Sequence, residues 1–203
     1  MRRKVAPHHR KSYRLKGYDY SKPGFYFITI CTRNMEYLFG DIIQNTMVLN
    51  EGGIIVRECW NAIPTHYPKV VLHEYIIMPN HIHGILEISA QGLSDAVGVQ
   101  NLEPLQHQII QANQQIDLGR YGKNKEPRMH KFQHIIPGSI GSIIRGFEIG
   151  VTKWFRANTD IYTVWQRNFH DSIIRSPKSI YRITRYIKNN PKNWSRDEFN
   201  SKA

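Results

Sequence analysis

The chain has 203 residues, enough for one domain with a sizeable core and room for an insertion. Lys and Arg outnumber Asp and Glu 28 to 16, a formal charge of +12, and such a field favours nucleic acid or an anionic membrane as partner. Two cysteines, Cys31 and Cys59, exclude a disulfide framework and a cysteine zinc site. No apolar run reaches membrane-spanning length, so nucleic acid is favoured over a membrane and a cytoplasmic location is expected.

The positive excess is densest in the first 22 residues, where Tyr13, Tyr18 and Tyr20 are interleaved among lysines and arginines. The segment reads either as a solvated tail or as an arm that neutralises phosphates while its tyrosines stack on bases. The organisation expected is this arm over 1–22, one domain over 23–194 and a tail over 195–203. From Ser89 to about Ile136 the pattern dissolves into Gln, Asn, Gly and scattered charge, and reads as a mobile insertion within the domain.

Phe25 to Thr32 is rich in aromatic and β-branched residues and is predicted to be a central strand. A second β-region runs from Tyr37 to Leu49, with Gln44-Asn45 as its hairpin turn. Asn50 is placed to cap a helix whose apolar residues Ile54, Ile55, Cys59, Ala62 and Ile63 recur at helical spacing up to Pro64. Lys69 to Met78 forms the next strand, which Pro79-Asn80 breaks before a further strand beginning at His81, so the two are expected to pair as an antiparallel hairpin.

After Pro137-Gly138-Ser139, Ile140, Ile143, Ile144, Phe147, Val151 and Phe155 define an amphipathic helix with Arg145, Lys153 and Arg156 on its other face. A short strand is expected at 172–175. Ser176-Pro177 then opens a last helix, which Pro191 should end, because the residue before proline avoids helical geometry. Strands and helices mixed in this order predict an α+β sandwich with a largely antiparallel sheet and helices packed on one face.

Candidate chemistry concentrates in two places. In Met78-Pro79-Asn80-His81-Ile82-His83-Gly84 the two histidines emerge on one side of a strand, where two imidazoles can hold a metal ion or simply sit half-buried. On the last helix Tyr186 and Asn190 lie four apart and share a face. If that face meets the His-Ile-His strand, His81, His83 and the Asn190 amide oxygen form a mixed nitrogen and oxygen ligand set suited to Mg or Mn. Tyr186 would then stand ready to attack a phosphodiester. From spacing alone, a packing role for Tyr186 is the commoner fate, and Tyr181 and Tyr162 are the next nucleophile candidates.

At these residues the chain resembles the single-tyrosine HUH transposases, in particular the REP-associated tyrosine transposases. The match lies in Met78 to Gly84 and in Tyr186-Ile187-Lys188-Asn189-Asn190-Pro191, supported by Pro23 to Thr29, Gly141 to Arg145 and Val164 to Arg167, over roughly 17 to 194. The resemblance implies an RRM-like (ferredoxin-like) core with helices on one side of the sheet. It implies a divalent ion, Mg or Mn, on His81, His83 and Asn190, and Tyr186 as the nucleophile of a 5′-phosphotyrosine link that frees a 3′-hydroxyl. The implied substrate is single-stranded or hairpin DNA, and the implied state is a monomer or a homodimer with exchanged tyrosine helices. A different class also fits the strands: a non-catalytic RRM-like nucleic-acid-binding protein stacking bases on Phe25, Tyr26 and Phe27. A metallohydrolase is the third reading, with Glu74 and Glu87 as the carboxylates near the His pair in sequence.

Overall fold

Among the described residues, six strands and four helices arise in the order β1 (Gly24–Cys31), β2 (Gly40–Ile43), β3 (Thr46–Leu49), α1 (Glu51–Asn61), α2 (Ile63–His66), β4 (Val70–Met78), β5 (His81–Ile88), α3 (Ile140–Asn158), β6 (His170–Ile174) and α4 (Pro177–Asn193). The computed structural model describes residues 17–90 and 136–200, which belong to one unit. Most of the predicted basic arm (1–16), nearly all of the Gln-rich insertion (91–135) and the end of the tail (201–203) lie outside the described residues.

The main sheet has the order β4-β5-β1-β6, and every neighbouring pair is antiparallel. Setting aside the separate β2–β3 hairpin, the chain runs strand, helix, strand, strand, helix, strand, which is the ferredoxin-like arrangement. β1 and β4 run parallel with β5 between them, and so do β5 and β6 around β1. Right-handed crossovers from β1 to β4 and from β5 to β6 therefore bring α1 and α3 onto the same face. There, Val56 and Trp60 of α1 and Ile143, Ile144, Phe147 and Val151 of α3 pack with Tyr26, Ile28, Ile30, Ile82 and Leu86 into one buried cluster.

The opposite face is not bare. α4 lies across it and packs Ile180, Ile183 and Ile187 against Phe25, Phe27, Ile85 and Ile174. The expectation of helices on one face thus describes α1 and α3, and α4 adds a partial third layer. An amphipathic stripe says that a helix buries one side; it does not say against which face of a sheet.

Local chemistry explains the element ends. Gln44 and Asn45 both take left-handed φ values, 49° and 60°, as a two-residue hairpin turn requires. Asn50 Oδ1 accepts from Gly53 N at 2.9 Å and opens α1, while Ser139 and Ser176 accept from the amides of Ser142 and Ser179 at the heads of α3 and α4. β6 begins two residues before the predicted strand. The predicted end of the last helix is wrong: α4 continues through Pro191 to Asn193. Pro191 is buried with Ile187 and Asn190, and the packing of this turn outweighs the local preference of the residue before proline.

Part of the predicted arm is folded. Tyr18 and Tyr20 pack against the core cluster, the Tyr20 carbonyl accepts from Ile140 N at 3.0 Å, and the Tyr26 hydroxyl donates to the Lys22 carbonyl at 2.7 Å. These two tyrosines are committed to packing rather than free to stack on bases.

Two predictions follow from this packing. A Cβ at Gly84 would stand 2.4 Å from Trp60 Cζ2, so Gly84→Ala should destabilise by roughly 1–3 kcal/mol or more in denaturant titrations. Glu148 lies at the flank of the core on α3, and burial pushes its carboxyl up to about 7, opposed by Arg145. The folded state therefore holds this proton more tightly than the unfolded chain. Stability from this group is greatest below the unfolded carboxyl range and falls as pH rises through about 7. After discounting for partial exposure, Glu148→Gln should stabilise by roughly 1–2 kcal/mol at pH 8 and leave stability at pH 4 unchanged, as measured by melts at the two pH values.

Candidate active site

β5 separates two kinds of residue by alternation. Ile82, Gly84 and Leu86 face the main core, and His81 and His83 face the other side, beside Cys31 and Thr29 of β1. Both rings are buried, at 0% and 1% exposure, with centroids 4.5 Å apart. Each has its Nδ1 occupied: Asn80 Oδ1 lies 2.9 Å from His81 Nδ1, and Thr29 Oγ1 lies 2.8 Å from His83 Nδ1. Burial pushes His83 down to about 4. Burial, then the neighbouring His83, lowers His81 as well, and Asn190 opposes this. Both imidazoles are neutral at pH 7, the form that binds metal.

α4 supplies the rest. With Ile183 and Ile187 seated on the sheet, Asn190 is turned inward at 1% exposure while Tyr186 stays at the rim at 43%. The Tyr186 hydroxyl lies 3.1 Å from His83 Nε2, and its ring meets the His83 and Phe27 rings edge-on at 5.1 and 6.2 Å. Asn190 stands close to both groups, since it favours protonation of His81 and ionisation of Tyr186. Burial, with Asp197 and Glu198, nevertheless raises the phenol above its ordinary range. On the outer side, Lys188 pairs with Glu74 at 3.1 Å.

The structure therefore brings His81, His83, Tyr186 and Asn190 together within one chain. It leaves the other tyrosines aside: Tyr181 and Tyr162 are each 66% exposed, and Tyr181 lies under the Arg185 guanidinium at 6.0 Å. Glu87 is engaged by His73 at 2.8 Å and Glu74 by Lys188, so neither carboxylate of the hydrolase reading joins the histidines. Tyr26 is fully buried, and Phe25 and Phe27 lie under α4, so the aromatics of the RRM-type reading are not presented for stacking.

Two buried atoms at this site have no hydrogen-bond partner of ordinary geometry, His81 Nε2 and Asn190 Oδ1. Among the described residues no three His, Cys, Asp or Glu side chains converge as a metal site. With an amide as third donor, however, the two orphaned atoms and His83 Nε2 make a set that fits a divalent cation of mixed nitrogen and oxygen preference.

Three contributors were not visible to sequence reasoning. Thr29 becomes legible only through the β1–β5 register, which sets it opposite His83. Asn80 borders the histidines but reads as a turn residue. Phe199 carries no signal: after a 3-10 turn over Trp194–Arg196, the chain folds back so that the Phe199 ring lies 4.6 Å from His81 and 5.8 Å from His83. The Phe199 carbonyl accepts from Asn80 Nδ2 at 2.7 Å, and Tyr37 donates to Asn200. What reads as a C-terminal tail is, up to Asn200, the cover of the His pair.

The fold and these side chains define an α+β, ferredoxin-like protein with a buried histidine pair facing a helix-borne tyrosine. The fold is similar to that of a solved REP-associated tyrosine transposase bound to a REP hairpin, at a TM-score of 0.51 and 16% identity over 91% of this chain and 74% of that one. No family model matches the chain. It is 46% identical over 191 residues, 94% of its own length and 93% of the other, to a Haemophilus influenzae protein described as uncharacterized, and it belongs to the family of that protein.

Truncating Phe199 should open the site without dismantling the sheet. In Phe199→Ala, diethylpyrocarbonate labelling of His81 and His83, mapped by mass spectrometry, should rise several-fold while surface histidines such as His66 label as before. Unchanged labelling would show that Phe199 is not the cover.

Proposed function

We propose that this protein is a metal-dependent DNA strand-transferase that cleaves and rejoins single-stranded or hairpin DNA through Tyr186. The observation that carries the reading is the Tyr186 hydroxyl held 3.1 Å from His83 Nε2, beside two buried acceptors without partners, His81 Nε2 and Asn190 Oδ1. His81, His83 and Asn190 would hold the ion, Mg or Mn, which when bound polarises the scissile phosphate and offsets its developing charge.

The chain's own residues do the rest. The Tyr186 oxygen attacks phosphorus and gives up its proton as a phosphorus–oxygen bond forms to the 5′ side. The bond to the 3′-oxygen breaks, and that oxygen takes a proton and leaves as a 3′-hydroxyl. Rejoining is the reverse displacement, with a 3′-hydroxyl expelling Tyr186. Tyr186 sits at the rim, where a strand can reach it, whereas Asn190 is inside. An open cleft beside it is lined by Lys178, Tyr181, Arg182 and Arg185, a basic surface suited to a phosphodiester backbone. The solved structure of like fold was bound to a REP hairpin, and a hairpin is accordingly the first substrate to offer.

Because His83 and Tyr186 belong to one chain, the reading requires no exchange of helices between copies, and either a monomer or a homodimer can carry it. A cytoplasmic location belongs to the same reading. No helix among the described residues is long and apolar enough to cross a membrane.

The test incubates hairpin DNA bearing a single-stranded flank with the protein and Mg or Mn, and resolves the products on a denaturing gel. Wild type should give a covalent protein–DNA adduct that EDTA abolishes. Tyr186→Phe should give none, with hairpin affinity within about fivefold of wild type, since one part-exposed hydrogen bond is worth only about 1 kcal/mol. An adduct that persists in Tyr186→Phe would move the nucleophile to Tyr181 or Tyr162. Salt-sensitive binding with no adduct under any condition would overturn the strand-transfer reading in favour of a binding module.

A further inference from the structure

Asn80 stands at the turn between β4 and β5 and is fully buried. Its side-chain nitrogen donates to two carbonyls, Met35 O at 3.2 Å and Phe199 O at 2.7 Å. An amide nitrogen has two hydrogens and accepts nothing, so both of its hydrogens are placed and the orientation of the amide is settled. The reverse orientation would set an oxygen against two carbonyl oxygens.

The remaining atom, Asn80 Oδ1, lies 2.9 Å from His81 Nδ1. It can only accept, so Nδ1 must donate. A neutral imidazole carries one N–H, and His81 Nε2 is then a bare lone pair. This accounts for the orphaned atoms, because His81 Nε2 and Asn190 Oδ1 are both acceptors and cannot satisfy one another. At the second histidine Thr29 Oγ1 lies at Nδ1 and Nε2 faces Tyr186, but a hydroxyl both donates and accepts, so only the His81 tautomer is fixed in this way.

We propose that Asn80 is a positioning residue whose amide locks His81 in the Nδ1–H tautomer and presents its Nε2 lone pair to a cation position shared with His83 and Asn190. The cation position rests on the function proposed above; the tautomer does not. The arrangement also survives loss of the C-terminal contact, because Met35 O still holds the amide when Phe199 is elsewhere.

The test uses the full chain with 15N-labelled histidine, free of metal at pH 8. His81 is assigned by the signal lost in His81→Gln, and long-range proton–nitrogen correlation reads its tautomer. Wild type should show the Nδ1–H pattern. Asn80→Asp, whose carboxylate still accepts from Nδ1 but sets its second oxygen against the Met35 and Phe199 carbonyls, should retain it at a lower melting temperature; Asn80→Ala should move His81 toward the Nε2–H form. Binding of Mn alone, followed by its electron paramagnetic resonance signal, should weaken by about 10- to 100-fold in Asn80→Ala and much less in Asn80→Asp.

A wild-type Nε2–H tautomer, or an Asn80→Ala protein with unchanged tautomer and Mn affinity, would overturn the positioning role while leaving the metal reading intact. An Nδ1–H tautomer in a wild-type protein that binds no Mn would overturn the cation position and the metal reading with it. Should Asn80→Ala fail to fold, the wild-type and Asn80→Asp spectra decide the tautomer.

Discussion

The register of β5 is the constraint on which the rest depends. Alternation along a strand allows only two outcomes, and a slip of one residue would send Ile82 and Leu86 to the α4 side and bury His81 and His83 in the main core. Two contacts exclude the slip. β1 pairs with β5 over its whole length, setting Ile28 opposite Gly84 and Ile30 opposite Ile82, and Trp60 lies against Gly84 in a space that no Cβ can share. A bulky core residue on one face thereby fixes where two polar side chains point on the other.

With β5 fixed, the seat of α4 decides the chemistry available. Ile180, Ile183 and Ile187 recur at three and four; fully buried Ile187 contributes about 1.5–3 kcal/mol toward holding the helix down, and the partly buried Ile180 and Ile183 contribute less. That seat divides the two polar residues of the same helix face. Asn190, one turn beyond Tyr186, is carried inward, while Tyr186 stays half in solvent. On the proposed reading, Asn190, inside, would hold the ion, and Tyr186, at the rim, would meet the DNA. Pro191 belongs to the same logic: its burial beside Ile187 keeps the helix going for the turn that carries Asn190.

Local chemistry was legible in the sequence, and tertiary chemistry was not. The Asn50 and Ser176 caps, the Gln44-Asn45 turn and the Pro79-Asn80 break all act within a few residues and sit where they were expected. The four candidate side chains were marked by motif and spacing, and the structure gathers them. The misread points are those where distant atoms decide. Pro191 lost to packing, α4 took the uncovered face of the sheet, and Tyr18 and Tyr20 found the core. Thr29 and Phe199 act through contacts 54 and 119 residues away along the chain, and the Asn80 amide that meets His81 is oriented by Met35 and Phe199, 45 and 119 residues away; no periodicity registers such distances.

The segment from Trp194 to Asn200 adds to the electrostatics of the site. Burial, and after it Asp197 and Glu198, raises the Tyr186 phenol and the Cys31 thiol, and the rings of Phe199 and Trp194 complete the burial of His81. With this segment in place the histidines are neutral lone-pair donors, but the tyrosine is held in its least nucleophilic form, protonated and facing like charge. The features that suit the site to a cation and those that quieten the phenol therefore have different origins: the first come from β5, Asn80 and α4, the second from burial of the phenol, to which Asp197 and Glu198 add. On the proposed reading, a bound cation and the cleft arginines Arg182 and Arg185 would oppose that acidic pair and ease ionisation of the phenol.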